Sequence, residues 1–372
     1  MRILGIGIVA IVLFFLQKVL YSRFWNRKLH AMVSFEQSKL IEGEEGTLLE
    51  VIENRKKLPL PMLKAQFQTS KNLAFVDDKD TKTSDQYYRN DVFQIGGQER
   101  ITRKLTFTAL KRGYYRVKQI DLISTDLFYF EEYRESIPAD TNLYVYPKMY
   151  MQKDFQTALH KLNGDILVKR HLLEDPFEYR GIREYQPFDD IRNVNWNATA
   201  RTGKLKVNQK NYTAMQTIRI FLNLEDPDVW KKYREMETSM QVMMGLVSYF
   251  LSQGIKVSCY ANGRDILTDE YMEITGGASA GQIDAVGRTL ARIDTSKEAY
   301  DFKMLFGEKV FEENDALMTF FVSPNATDGL MDVLERCERD GISYTWFYPH
   351  TTMKRPEVPA ALQKHVQYLY LE

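Results

Sequence analysis

Thr217-Ile218-Arg219-Ile220-Phe221-Leu222-Asn223-Leu224-Glu225-Asp226-Pro227 is the stretch on which the fold of this chain turns. An apolar run of strand length, 217–224, ends abruptly in two acidic residues and a proline. Asp226 as cap and Pro227 at the first helical position then predict a helix. Its apolar stripe is Tyr233, Met236, Met240, Met243, Val247 and Phe250, and Gly254 closes it. The methionines read as core packing. The same unit recurs downstream. Residues 255–260 form a strand, and a helix capped by Ser279 follows with Ile283, Val286, Leu290 and Ile293 on one face. After these come a strand at 316–322, a helix at 328–340 stopped by Gly341, and a strand at 342–348. Strands alternating with amphipathic helices predict a sheet covered by helices, here a doubly wound α/β domain over 213–372.

Upstream the period changes. Ile101, Leu105, Phe107 and Ala109 alternate with Arg100, Thr102, Lys104, Thr106 and Thr108, the mark of a half-buried antiparallel strand. Further strands are expected at 47–53, 62–69, 114–118 and 143–146, with no competing helical period, so 31–150 reads as an all-β sandwich. The polar stretch 77–90 reads as a solvated loop. At the N-terminus, residues 3–16 carry no charge, and with Val19 and Leu20 they are expected to form one transmembrane helix within 1–22. Lys18 would snorkel to the headgroups, and Tyr21, Phe24 and Trp25 would form an interfacial belt. A secretory signal peptide is the rival reading. No small-x-small cleavage site follows, which favours a retained anchor. A fragment lacking about the first 28 residues is then expected to be soluble. Arg23, Arg27 and Lys28 follow the span while Arg2 alone precedes it, placing the bulk of a single-pass cell-membrane protein in the cytoplasm.

Composition narrows the function classes. Lysine plus arginine number 50 and aspartate plus glutamate 50, so no bulk positive field draws nucleic acid, and none is expected as a partner. The two cysteines, Cys259 and Cys337, fit buried thiols in a reducing compartment, with a disulfide between them left open. His30, His160, His171, His350 and His365 show no ligand spacing and are expected at the surface or domain edges.

Between the sandwich and the α/β domain, 151–212 carries Arg183-Glu184-Tyr185-Gln186-Pro187-Phe188-Asp189-Asp190-Ile191-Arg192-Asn193-Val194-Asn195-Trp196-Asn197-Ala198-Thr199-Ala200-Arg201. This run resembles the signature of the family called domain of unknown function 58, close to Arg-Glu-Tyr-x-Pro-Gly-Asp-Asp-x-Arg-x-Ile-Asp-Trp-x-x-x-Ala-Arg. Arg112-Gly113-Tyr114-Tyr115-Arg116, Ser124-Thr125-Asp126-Leu127-Phe128 and Tyr144-Val145-Tyr146-Pro147 also look like that family. Phe188 stands where the pattern has glycine, Asn195 where it has aspartate and Asn197 where it has lysine, so no role resting on those groups carries over. The resemblance implies a membrane-tethered, MoxR-associated protein with a von Willebrand-A-like domain. A MoxR-type AAA+ ATPase is often encoded beside such proteins, sometimes with a transglutaminase-like membrane protein.

In physical terms Arg183, Arg192 and Arg201 can form charge-assisted forks with Glu184, Asp189 and Asp190, and arginine also stacks on Tyr185 or Trp196. With Pro187 these residues are expected to form a structural clasp, Trp196 and Arg201 being its structural members, and in part a docking surface. The expected function is an interaction or adaptor protein acting with the ATPase in envelope or complex assembly, with no catalytic residues and no cofactor. Two alternatives remain. One is a divalent-metal-dependent adhesion module, disfavoured because Asn223-Leu224-Glu225-Asp226-Pro227 lacks the Asp-x-Ser-x-Ser oxygens, although Glu225 or Asp226 could hold a weak ion. The other is an unrecognised hydrolase using a carboxylate pair such as Asp189 and Asp190. The glycine-rich run 276–281 lacks the Lys-Ser or Lys-Thr of a phosphate loop and reads as a loop into a helix.

Overall fold

Alternating burial organises the first of two units, Met1–Lys148. The computed structural model describes residues 2–76, 82–83, 86–172, 174–186, 189, 191–212, 217–277, 279–312, 316–353 and 355–371. After α1 (Arg2–Phe24) come β1 (Leu29–Phe35), β2 (Lys39–Ile41), β3 (Glu45–Asn54), β4 (Leu60–Ser70), β5 (Leu73–Phe75), β6 (Lys82–Thr83), β7 (Gln86–Ile95), β8 (Glu99–Ala109), β9 (Gly113–Thr125) and β10 (Glu132–Tyr146). They form two sheets, ordered β1-β3-β8-β5 and β2-β10-β9-β4-β7-β6. On β3 and β8 the register sets Leu48 opposite Leu105 and Ile52 opposite Ile101, so apolar side chains share a face. Leu48, Ile52 and Phe107 from one sheet meet Leu63, Phe67, Ile120 and Leu122 from the other in a single core. The expected β-sandwich is present. The expected loop at 77–90 is instead strand from Gln86 onward, and 77–81 and 84–85 lie outside the described residues.

Within α1, Ile6–Phe24 is long and apolar enough to cross a membrane. Of the expected aromatic belt only Phe24 stays partly exposed. Tyr21 and Trp25 are buried in the sandwich core, with the Tyr21 hydroxyl donating to the Pro59 carbonyl at 2.9 Å and the Trp25 ring stacked on Tyr133. Rings inside a protein core cannot face lipid. The fragment expected to be soluble, starting near residue 29, would lose these two core aromatics.

The second unit, Met149–Glu372, is mixed α/β. It comprises α2 (Lys153–Leu172), β11 (Glu174–Glu184), α3 (Trp196–Thr202), β12 (Lys206–Tyr212), β13 (Thr217–Leu222), α4 (Tyr233–Ser252), β14 (Lys256–Ala261), β15 (Met272–Gly277), α5 (Ala280–Arg292), α6 (Phe302–Phe306), α7 (Lys309–Glu312), β16 (Ala316–Val322), α8 (Asp328–Asp340), β17 (Tyr344–His350) and β18 (Val366–Tyr370). The main sheet runs β15-β14-β13-β16-β17-β18, parallel throughout except for edge strand β15. Ile218, Ile220 and Leu222 of β13 pack with Met240, Met243, Val247 and Leu290. Phe221 packs the opposite way, with Phe302, Phe306, Leu330 and Leu334. Helices thus cover both faces, which is why β13 is apolar on both faces apart from Thr217 and the buried Arg219.

The structure corrects local expectations at three points in this unit. Asp226 does not cap a helix at Pro227, because α4 begins only at Tyr233; its carboxylate accepts the Asp228 N–H at 3.1 Å and the Lys232 N–H at 2.7 Å, folding 226–232 into a pinned loop. Ser279 does occupy the cap position of α5, yet its side chain makes no capping hydrogen bond. The run expected to be a loop at 276–281 is strand up to Gly277.

Candidate docking site

The signature residues lie on an antiparallel hairpin. β11 pairs with β12, setting Arg183 opposite Val207 and Glu184 opposite Lys206. Between the strands the chain makes a 3-10 turn, Ile191–Asn193, and the short helix α3. Arg183 forks onto Asp189 at 2.6 and 2.5 Å, and Asp189 also accepts the Gln186 N–H at 2.7 Å. The hydrogen bond from Arg183 holds the Asp189 carboxyl below the usual carboxylate range. Glu184 is likewise held low, first by its hydrogen bond with Lys206 and then by Lys204. The Tyr185 N–H donates to the Leu205 carbonyl at 2.9 Å, closing the neck of the hairpin. The fork therefore fixes one turn, within 183–189.

Asn195 does the work at the start of α3. Its Oδ1 accepts the Ala198 N–H at 2.9 Å, and its Nδ2 donates to Asn208 Oδ1 at 2.7 Å, tying the helix to β12. Asparagine caps as well as aspartate, so this departure from the family pattern keeps the cap. Trp196 was expected to be structural and is not: it is 64% exposed, and α3 has no buried residue. Arg192 and Arg201 are exposed as well, Arg201 in the last turn of α3. Pro187 and Asp190 lie outside the described residues, so the Asp189–Asp190 pair is described only at Asp189. Sequence reading missed Val194, which is buried and bridges to Val207, and missed the partners Lys206 and Asn208. Those contacts join positions remote in sequence and leave no periodic trace.

A second feature lies at the carboxyl ends of the main sheet, where β14 and β16 flank β13. Crevices form at such reversals of strand order. The cleft here has a volume of about 430 Å³ and is bordered by Glu225, Asp226, Lys231, Lys297, Asp301 and Thr327. Glu225 spends its carboxylate on the fold, accepting the Phe302 N–H and the Thr327 hydroxyl, both at 2.9 Å. Asn223 Oδ1 accepts the Glu225 N–H at 3.0 Å and Asn262 Nδ2 at 2.8 Å. Among the described residues no three His, Cys, Asp or Glu side chains gather as a metal would require. Burial pushes up the thiols of Cys259 and Cys337. His350, expected near the surface, is buried, its Nδ1 2.9 Å from the Thr352 carbonyl oxygen.

The pinned loop 226–232 carries Val229 and Trp230 into solvent, 91% and 89% exposed. Its backbone is held by Asp226 at both ends, and Lys232 Nζ donates to Asn325 Oδ1 at 2.5 Å. A helix expected from Pro227 leaves no place for this display; α4 instead begins at Tyr233.

Residues 181–258 match the family model described as protein of unknown function DUF58. The DUF58 match takes in the Arg183 fork, α3, β12, β13, the loop with Trp230 and all of α4. No curated protein matches the chain. Among solved structures, the sporulation control protein Spo0M of Bacillus subtilis is 13% identical over 43% of this chain, with a TM-score of 0.19, and the chain spans only 58% of its length. A non-cellulosomal cohesin from Archaeoglobus fulgidus is 13% identical over 36% of this chain and 99% of its own, with a TM-score of 0.23. A CARDB domain from Pyrococcus furiosus is 12% identical over 30% and 91%, with a TM-score of 0.20. Likenesses this low bear on neither fold nor activity.

Proposed function

We propose that this chain is a membrane-anchored docking protein whose α/β unit is von Willebrand-A-like and whose partner is a MoxR-type AAA+ ATPase, acting in cell-envelope or complex assembly. One observation carries the reading. Of the four tryptophans, Trp25 and Trp346 are buried in the two units, and the two that reach solvent, Trp196 and Trp230, both fall in the residues that match the DUF58 model. A large exposed aromatic on a rigid support is the commonest kind of interface hot spot. Both supports are hydrogen-bonded in place, since Trp196 opens a helix capped by Asn195 and Trp230 rides on a loop held by Asp226. The von Willebrand-A-like assignment is supported by a parallel sheet with one antiparallel edge strand and by helices on both faces. The anchor is supported by the apolar span in α1, and a cytoplasmic position by Arg23, Arg27 and Lys28 after it. A transglutaminase-like membrane protein is a second partner suggested by the family resemblance.

The test is pull-down of the MoxR-type ATPase by the full chain and by Trp196→Ala and Trp230→Ala. Exposed residues cost little stability, so both variants keep the wild-type melting temperature. Retention of ATPase falls at least tenfold in one or both. Unchanged retention in both overturns the proposal.

A further inference from the structure

The turn between β9 and β10 carries four consecutive apolar or aromatic residues, Leu127, Phe128, Tyr129 and Phe130, each between 47% and 73% exposed. A run of this kind is normally buried or cut by charges. It is also held in shape. Asp126 beneath it is buried, and its carboxylate accepts the Phe130 N–H at 2.8 Å. Tyr129 sits at φ 61°, in the left-handed region that disfavours a bulky side chain. A glycine would meet that backbone at lower cost.

The tip stands beside α1. Gln17 Nε2 donates to Asp126 at 2.9 Å and Lys18 pairs with Glu131 at 2.5 Å, so both polar residues that interrupt the apolar helix are tied to the base of the tip. One turn nearer the N-terminus, Phe14 meets Phe130 at 5.3 Å and Phe128 at 5.8 Å between ring centroids. The rings therefore lie on the apolar side of the charged level, level with the exposed helix that includes Ile11, Val12 and Leu13. From Arg2 to Lys18 the helix is roughly 25 Å long at 1.5 Å per residue, close to one hydrocarbon core. At that end Tyr21 and Trp25 are taken into the sandwich core, leaving Phe24 as the one partly exposed aromatic of the three expected there.

We propose that residues 127–130 are a second membrane-contacting element, an aromatic wedge that lies in the lipid surface beside α1. The inference rests on reading α1 as a retained span. Lipid is the occupant that fits, because tip and helix form one continuous apolar surface bounded by the Gln17–Asp126 and Lys18–Glu131 pairs. Aromatic side chains take that depth in membranes, where an apolar body meets a polar edge.

The experiment uses the full chain in phosphatidylcholine and phosphatidylglycerol vesicles containing nitroxide-labelled lipids. A fluorophore is placed singly through Leu13→Cys, Phe130→Cys or Val76→Cys; the native thiols, Cys259 and Cys337, are buried and stay unlabelled. Labels at 13 and 130 are expected to be quenched by lipid nitroxide several-fold more than the label at 76, and aqueous iodide to show the reverse order. If 13 is lipid-quenched while 130 behaves like 76, the wedge is overturned and the span stands. If 13 is also open to iodide, the span fails and the wedge with it. A label at 130 shielded from both quenchers means that protein covers the tip, and this too overturns the proposal.

Discussion

Glu50 lies on the core face of β3 with Leu48 and Ile52, 1% exposed. Asp91 across the sandwich takes both nearby guanidiniums, Arg89 at 2.5 Å and Arg103 at 2.7 Å. Burial, reinforced by the Asp91 charge and opposed by Arg103 and Arg89, pushes the Glu50 carboxyl up to about 8. The folded protein then holds a proton that the unfolded chain releases above the ordinary carboxylate range. Its stability contribution is therefore full at low pH and declines until about pH 8, by at most ~1.4 kcal/mol per pH unit. Glu50→Gln is expected to flatten the fall in melting temperature between pH 5 and pH 8, and an unchanged slope would assign the decline elsewhere. The sequence placed Glu50 within a strand. It could not show that Asp91, on the other sheet, competes for its partners, for the same reason that Trp196 is expected to be a structural member of the clasp: an aromatic or a carboxylate in a pattern carries no record of what stands opposite.

Regular period made some elements legible. β13, β14, β16, α8 and β17 fall within a few residues of the expected positions, as do β3, β4 and β8, because each buries one or both faces at a fixed repeat. α2, β11, α6, α7 and β18 went unread. α6 and α7 are too short to show a period, and β11 is rich in charge along its whole length. The start of α4 was misplaced because Asp-Pro is equally the beginning of a turn, and here Asp226 folds a loop. Asn195→Ala should lose about 1 kcal/mol from the α3 cap, seen as faster amide exchange across 196–202 with the main sheet unaffected. Exchange equal to wild type would mean that the hairpin alone sets this helix. In the β13–α4 loop, the committed carboxylate of Glu225 leads us to expect that millimolar magnesium or manganese leaves the melting temperature unchanged. A rise abolished by Glu225→Gln would restore the adhesion-type reading.

At the level of the whole molecule, the burial of Tyr21 and Trp25 makes the end of α1 part of the sandwich. Protein extracted from membranes is therefore expected to begin ahead of Tyr21 on N-terminal sequencing, and a start beyond it would identify a signal peptide. Truncation at residue 29 should lower the melting temperature of the first unit, each buried aromatic being worth a few kcal/mol. The two-unit plan was legible from the switch of period between strand alternation and strand-helix alternation. The exposure of Trp196 and Trp230 was not, since exposure depends on packing that no local pattern encodes. We propose that the DUF58-matching residues present a docking face to a MoxR-type ATPase. Hydrogen–deuterium exchange of the full chain in membranes, with and without that ATPase, tests it most directly. Protection is predicted in peptides covering 191–202 and 226–232, and slowing confined to other segments, or absent altogether, would contradict it.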